Sequence, residues 1–204
     1  MCILRRGVVF LMAMVSASAV PQSGGGAHQT SIPEKVVVAT ALGDIVIALD
    51  ARHAPDTVAN FLRYVRGKYY DGGSFHRSVT LQNQPGDAIK IEVIQADIAA
   101  SRRGQEFPPI PLERTSVTGL KHKAGTVSMA RGGPDTATGS FFICVTDQPE
   151  LDFGGKRNPD GQGFAAFGHV VSGMDVVRLI QQSPVHEQRL TPPIEIKTVR
   201  EPGA

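Results

Sequence analysis

The sequence predicts a mostly β domain, a closed barrel or a sandwich with two helices over its open ends, and three observations carry that expectation. Seven or eight short segments rich in β-branched and aromatic residues recur between Lys35 and Arg200, separated by Gly, Pro, Asn and Asp. Only two segments show the apolar spacing of a helix. The strand-like pieces also lack the strand–helix–strand alternation that a parallel sheet needs.

The elements can be taken in order. Val36 to Ala41 and Ile45 to Leu49 are two β-branched runs, and Gly43-Asp44 between them is a hairpin signal. In "APDTVANFLRYVRGKYY", Val58, Phe61, Leu62 and Val65 fall at i, i+3, i+4 and i+7. Pro55 and Asp56 suit the first turn of that helix, and Gly67 suits its end. Short strands follow in "SFHRSV", "KIEVIQ", "GTVSMA", "SFFICVT" and "FAAFGHVV"; a second helix is expected in "MDVVRLIQQ" after Gly173, and "PPIEIKTVR" closes as a strand. The irregular stretches "TLQNQPGDA" and "DFGGKRNPDGQG" are expected as long loops, where binding often resides.

The first 19 residues read as a secretory signal: Arg5 and Arg6, an apolar run from Gly7 to Val15, and Ala17-Ser18-Ala19 as a cleavage site. The apolar run falls short of the roughly 20 residues that span a bilayer. Export is therefore expected, to the periplasm if the host is a Gram-negative bacterium, with no membrane association once the signal is cleaved. Residues 20–34 are rich in Gly, Ser and Pro and read as a flexible leader. Residues 35–200 then make one domain of about 165 residues, enough for a substantial core.

Removing the signal takes two of the 21 basic residues and none of the 19 acidic ones, so the remaining chain carries 19 of each. A nucleic-acid partner loses its electrostatic basis. Only Cys144 remains of the two cysteines, which excludes an internal disulfide and makes Cys144 a small core residue. No heptad run or long unpaired apolar strand calls for an obligate oligomer, so a monomer is expected.

Within "SFHRSV", period-2 alternation puts Phe75, Arg77 and Val79 on one face and His76 and Ser78 on the other. Arg77 would then stand in an apolar row. Such a placement costs desolvation unless the guanidinium finds a partner or snorkels to water. In "GSFFICVT" the same rule puts Phe141, Ile143 and Val145 on the core face and leaves Phe142, Cys144 and Thr146 opposite, where Phe142 needs a second apolar surface. The Gly-rich "SMARGGPDTATGS" lets backbone approach a ligand but lacks the Gly-Lys-Ser/Thr ending of a phosphate loop. His28, His53, His76, His122, His169 and His186 are scattered without metal-ligand spacing, and no Gly-x-Ser-x-Gly turn is present, which leaves little support for a hydrolase.

The segments "GDIVIALDARHAPDTVANFLRYVRGKYYDGGSFHR", "IQ" at Ile94-Gln95, "HKAGTVSMARGGPDTATGSFFICV", "LDFGG" and "FAAFGHVVSGMDVV" run in this order across most of residues 35–182. Together they resemble the cyclophilins, a family of peptidyl-prolyl cis-trans isomerases. The resemblance implies a closed eight-stranded antiparallel β-barrel capped by two α-helices. It implies that Arg77 is catalytic and Gln95 a polar substrate contact. It further implies that Phe142 and Leu151 line a proline pocket with Val93 near them, and that Ala130 and Arg131 offer backbone to a peptide. His76, beside Arg77, is read either as a substrate contact or as a strand-supporting residue. Proline-containing peptides and unfolded chains are the implied partners, and no cofactor or metal is required.

The chain departs from the family pattern at several positions. Glu92-Val93 replaces an aromatic–Met pair, and Ala96-Asp97 a glycine pair. Ser140 stands where glutamine is common, Phe164 where histidine is, and Glu150 where many eukaryotic members carry tryptophan. Weak cyclosporin binding is expected from these changes. A non-catalytic chaperone that holds proline-containing segments in the same groove is the alternative reading.

Overall fold

The computed structural model describes residues 35–203; the proposed signal and leader lie outside the described residues. Eight strands close into an antiparallel barrel in the order β1 (Lys35–Thr40), β2 (Gly43–Leu49), β7 (Ala166–Ser172), β5 (Thr126–Met129), β6 (Phe141–Cys144), β4 (Val93–Asp97), β3 (Gly73–Val79) and β9 (Arg189–Arg200). Pairing of β1 with β9 shuts the ring, which leaves no long edge open to another chain. A two-residue strand, β8 (Val185–His186), forms a small hairpin with the start of β9. Closure rather than a two-sheet sandwich is thus the outcome of the two possibilities.

Apolar residues of alternate strand positions fill the barrel. Phe61, Tyr70, Phe75, Phe141 and Phe167 are fully buried there, and Phe61 meets Phe141 and Phe167 with ring centroids 5.5 and 5.0 Å apart. Phe61 comes from α1 (Pro55–Arg66), whose buried face also holds Val58, Leu62 and Val65. The helical stripe seen in the sequence is therefore the face that covers the barrel. α3 (Met174–Gln181) buries Val176, Val177 and Ile180 in the same core.

Three local readings change. The first hairpin turns at Ala41-Leu42, with Thr40 opposite Gly43, two residues before the Gly-Asp signal. A third helix, α2 (Thr115–Thr118), is a single turn ended by Gly119 in the left-handed region at φ 74°; four residues cannot display a helical period. The strand expected from Lys90 begins at Val93.

The fourth change decides the site. β3 contains a β-bulge at His76: Phe75 opposes Ala96, while Arg77 opposes Gln95, the very next residue of β4. One extra residue resets the alternation. Phe75 consequently points into the barrel with Ala96, and Arg77 and Val79 lie on the outer face with Gln95 and Val93. Arg77 does not share a face with Phe75.

Candidate active site

Register across four neighbouring strands builds the site. Arg77 of β3 opposes Gln95 of β4, Gln95 opposes Phe142 of β6, and Phe142 opposes Ser128 of β5. These four side chains form one row on the outside of the barrel, because residues paired across a sheet share a face. On the same face, Val79, Ile91, Val93, Phe142, Cys144 and Leu151 make a second apolar cluster, separate from the barrel interior, with Ala130 and Phe164 packed against it. This cluster is the surface Phe142 requires. Cys144 is buried within it, and burial pushes its thiol pKa up, so it is an inert packing residue.

A cavity of about 240 Å³ opens above this row, lined by Arg77, Val93, Gln95, Ala130, Arg131, Phe142 and Leu151, together with Ile91, Arg157, Asn158 and Phe164. Seven of the eight residues singled out in the sequence therefore meet at one place. His76 does not. The bulge turns it toward a larger cavity on the other side of Arg77, where its Nδ1 is buried without a hydrogen-bond partner and desolvation lowers its pKa.

Arg77 is held by neutral groups alone. Its Nε and Nη2 donate to Gln188 Oε1 at 2.9 and 2.6 Å, and its Nη1 donates to Gln95 Oε1 at 3.0 Å. Gln95 Nε2 donates to Ser140 Oγ at 3.1 Å, and Ser140 Oγ donates to the Ala96 carbonyl at 2.9 Å. Ser140 thus anchors Gln95 from behind. Burial and the nearby Arg157 guanidinium lower the Arg77 pKa from its ordinary value, which lies so far above neutrality that the side chain stays charged. No carboxylate pairs with it among the described residues. Three of its five N–H groups are thus engaged, and two have no partner among the described residues.

The family model for the cyclophilin type of peptidyl-prolyl cis-trans isomerase matches residues 35–201. The chain belongs to this family. It is 38% identical over 143 residues to the isomerase cyp18 of Streptomyces antibioticus, covering 70% of this chain and 80% of that protein. It is likewise 38% identical over 140 residues to isomerase B of Escherichia coli, covering 68% and 79%. The fold matches a cyclophilin from Cryptosporidium parvum, crystallised in the presence of the dipeptide Ala-Pro, with a TM-score of 0.66 at 22% identity, over 83% of this chain and 99% of that one. The protein is thus a cyclophilin-type isomerase, and its reaction is rotation about X-Pro bonds.

Several supporting residues of this cyclophilin site were not legible in the sequence. Gln188, the principal partner of Arg77, follows Glu187 in the β8–β9 turn, and its Nε2 donates to the Asn83 carbonyl at 3.1 Å. It is 111 residues from Arg77 in sequence, a separation that no local pattern bridges. Arg157 crosses above the cavity: it pairs with Asp87 at 2.8 Å and donates to the Ile89 carbonyl at 2.6 Å, tying the two long loops together. His122 is buried, holds Asp152 through Nδ1 at 2.8 Å and Ser128 through Nε2 at 3.0 Å, and lies nearly parallel to the Phe142 ring. It therefore supports Phe142 from beneath while fixing the residue after Leu151.

The departures acquire places as well. Phe164 meets Phe142 edge-to-face at 5.3 Å and extends the apolar wall of the cavity. Glu150 faces away from it: its carboxylate accepts from the Lys156 amide at 2.8 Å and braces the long loop. Glu92 also lies outside the cavity and accepts from the Thr146 hydroxyl at 3.0 Å.

Proposed function

We propose that Arg77 is the catalytic group of this isomerase and that Phe142, Leu151, Val93 and Phe164 receive the proline ring. The observation that supports this most is a charged guanidinium held by two amide side chains at a cavity that also has an apolar wall of Val93, Phe142, Leu151 and Phe164, with no carboxylate paired to it among the described residues. The X-Pro amide resists rotation by roughly 18–20 kcal/mol because the nitrogen lone pair is conjugated with the carbonyl. A donor aimed at the prolyl nitrogen draws that lone pair out of conjugation. A positioned positive charge of this kind acts most strongly where water is excluded.

Gln95 serves two ends in this reading. Its Oε1 fixes Arg77, and its amide lies within the cavity to meet peptide backbone. Ala130 and Arg131 contribute main chain, since the Arg131 side chain is committed to Asp160 and the Gly163 carbonyl. A proline-containing peptide, as named for the Cryptosporidium crystals, fits this arrangement. His76 is excluded from the proline cavity and takes no part in the bond rotation.

The decisive experiment compares isomerisation of a proline peptide by the protein and by Arg77→Ala, with peptide binding measured alongside. Loss of roughly 10²–10³-fold in kcat/KM, as for removal of one positioned charge donor, with binding retained, supports the assignment. Undiminished turnover by the variant overturns it. An unmodified protein that binds proline peptides without turning them over would instead favour the holding chaperone.

The same proposal includes export as a monomer. Arg5, Arg6, the apolar run and Ala17-Ser18-Ala19 support cleavage after Ala19, which N-terminal sequencing of the secreted or periplasmic protein tests; light scattering tests the monomer. Weak cyclosporin binding is expected because the chain contains no tryptophan and Glu150 is engaged by its own loop. A tight dissociation constant by titration would refute that.

A further inference from the structure

The larger cavity beside Arg77, about 930 Å³ in volume, is lined by His76, Arg77, Arg103, Glu187 and Arg189 together with Asn83 and neighbouring prolines. It shares Arg77 with the proline cavity. Three arginines face one carboxylate there, an excess of positive charge in a chain whose residues 20–204 carry equal numbers of acids and bases. Arg103 and Arg189 make no ion pair and Glu187 neutralises neither, among the described residues. Arg189 sits directly opposite Arg77 across the β3–β9 ladder. Like charges placed opposite each other destabilise a sheet, so this pairing is held at a cost that an intervening anion removes.

We propose that this groove is a specificity subsite for acidic residues flanking the substrate proline, with Arg103 and Arg189 as its determinants. The inference rests on the reading of Arg77 and its smaller cavity as the place where the proline is turned. An extended peptide advances about 3.3 Å per residue, so a chain that seats its proline there carries neighbouring residues past Arg77 and into the larger groove. A carboxylate in that groove meets Arg103 and Arg189 and screens their repulsion with Arg77. A lysine in the same place meets three like charges. The preference is electrostatic and partly solvated, so it fades with added salt.

The test uses peptide series identical except for Glu, Gln or Lys at the residues within three positions of the proline, on either side. Turnover by exchange spectroscopy and binding by titration are both measured at low and high salt. At low salt the expected result at one flank is a kcat/KM or affinity for Glu about fivefold above Gln, as for a partly exposed ion pair, with Lys below Gln. In Arg103→Glu/Arg189→Glu the order reverses; in Arg103→Gln/Arg189→Gln it flattens. Equal values for the three peptides at both flanks overturn the subsite while leaving the isomerase reading intact. A parallel loss on all peptides with the Glu-to-Gln ratio unchanged also overturns it, because that is the mark of a structural effect. If no peptide is turned over, the isomerase reading fails, and the titrations decide the subsite by the same ratios.

Discussion

The smaller cavity is lined by two sequestered arginines, Arg131 and Arg77, which are held in opposite ways. The Arg131 side chain is 1% exposed and spends its donors on the protein: two bonds to Asp160 at 2.7 and 3.0 Å and bonds from Nε and Nη2 to the Gly163 carbonyl. Its guanidinium also lies 5.0 Å above the Phe164 ring. Arg77 is held as firmly, but by Gln188 and Gln95. An amide oxygen orients a guanidinium without cancelling its charge, whereas a carboxylate does both. One arginine is therefore a strut for the loop that carries Asp160, and the other retains an unneutralised field for a ligand.

Changes around Arg77 should sharpen that contrast most. Arg77→Lys keeps the charge but loses the fork that both glutamines hold, and turnover should fall on the order of 100-fold. A lysine variant as active as the original would show that charge alone suffices. Gln188→Leu removes the acceptor shared by Nε and Nη2 while keeping similar volume; kcat/KM should drop about tenfold, the worth of a bond to a charged group, with the melting temperature little altered. If melting falls and turnover does not, Gln188 supports the fold rather than the arginine.

Around Arg131 the expected effects are on stability. Asp160 has its pKa held down to about 2 by the Arg131 guanidinium and the Gln162 amide, below the usual carboxylate value of about 3.9. The pair's stabilisation is thus complete above pH ~4 and disappears as the pH falls through about 2. Asp160→Asn should lower stability at neutral pH, and the gap from the unmodified protein should close on acidification. A gap that stays constant with pH would break the assignment. The smallest effect is a null one at the other arginine: Arg77 and its amide partners do not titrate near neutrality, so turnover should stay level from about pH 6 to 9. A sharp inflection in that range would show that a titrating group outside Arg77, Gln95 and Gln188 takes part in the reaction.

Much of the fold was legible because its signals are local. The α1 stripe from Val58 to Val65 faces the core as its spacing implied, and Phe141 and Ile143 went inward while Phe142 and Cys144 went outward. The family motifs also named seven residues that line one cavity. Strict alternation failed at Phe75 and Arg77, since a bulge depends on how β4 and β9 pair with β3 and leaves no mark in "SFHRSV" itself. His122 gave a different kind of miss: lack of metal spacing argued against a ligand role, yet its hydrogen bonds to Asp152 and Ser128 join segments that only the barrel brings together.

By itself, then, the sequence determined most of the strand and helix segments and the family, and it singled out Arg77 as a candidate, because periodicity and collinear motifs are carried by neighbouring residues. Tertiary structure alone decided that Arg77, Gln95, Phe142 and Ser128 stand in one row, that Gln188 rather than an acid holds the guanidinium, and that His76 looks the other way. Those facts depend on register between strands distant in the chain, and register is set by the closing of the whole barrel.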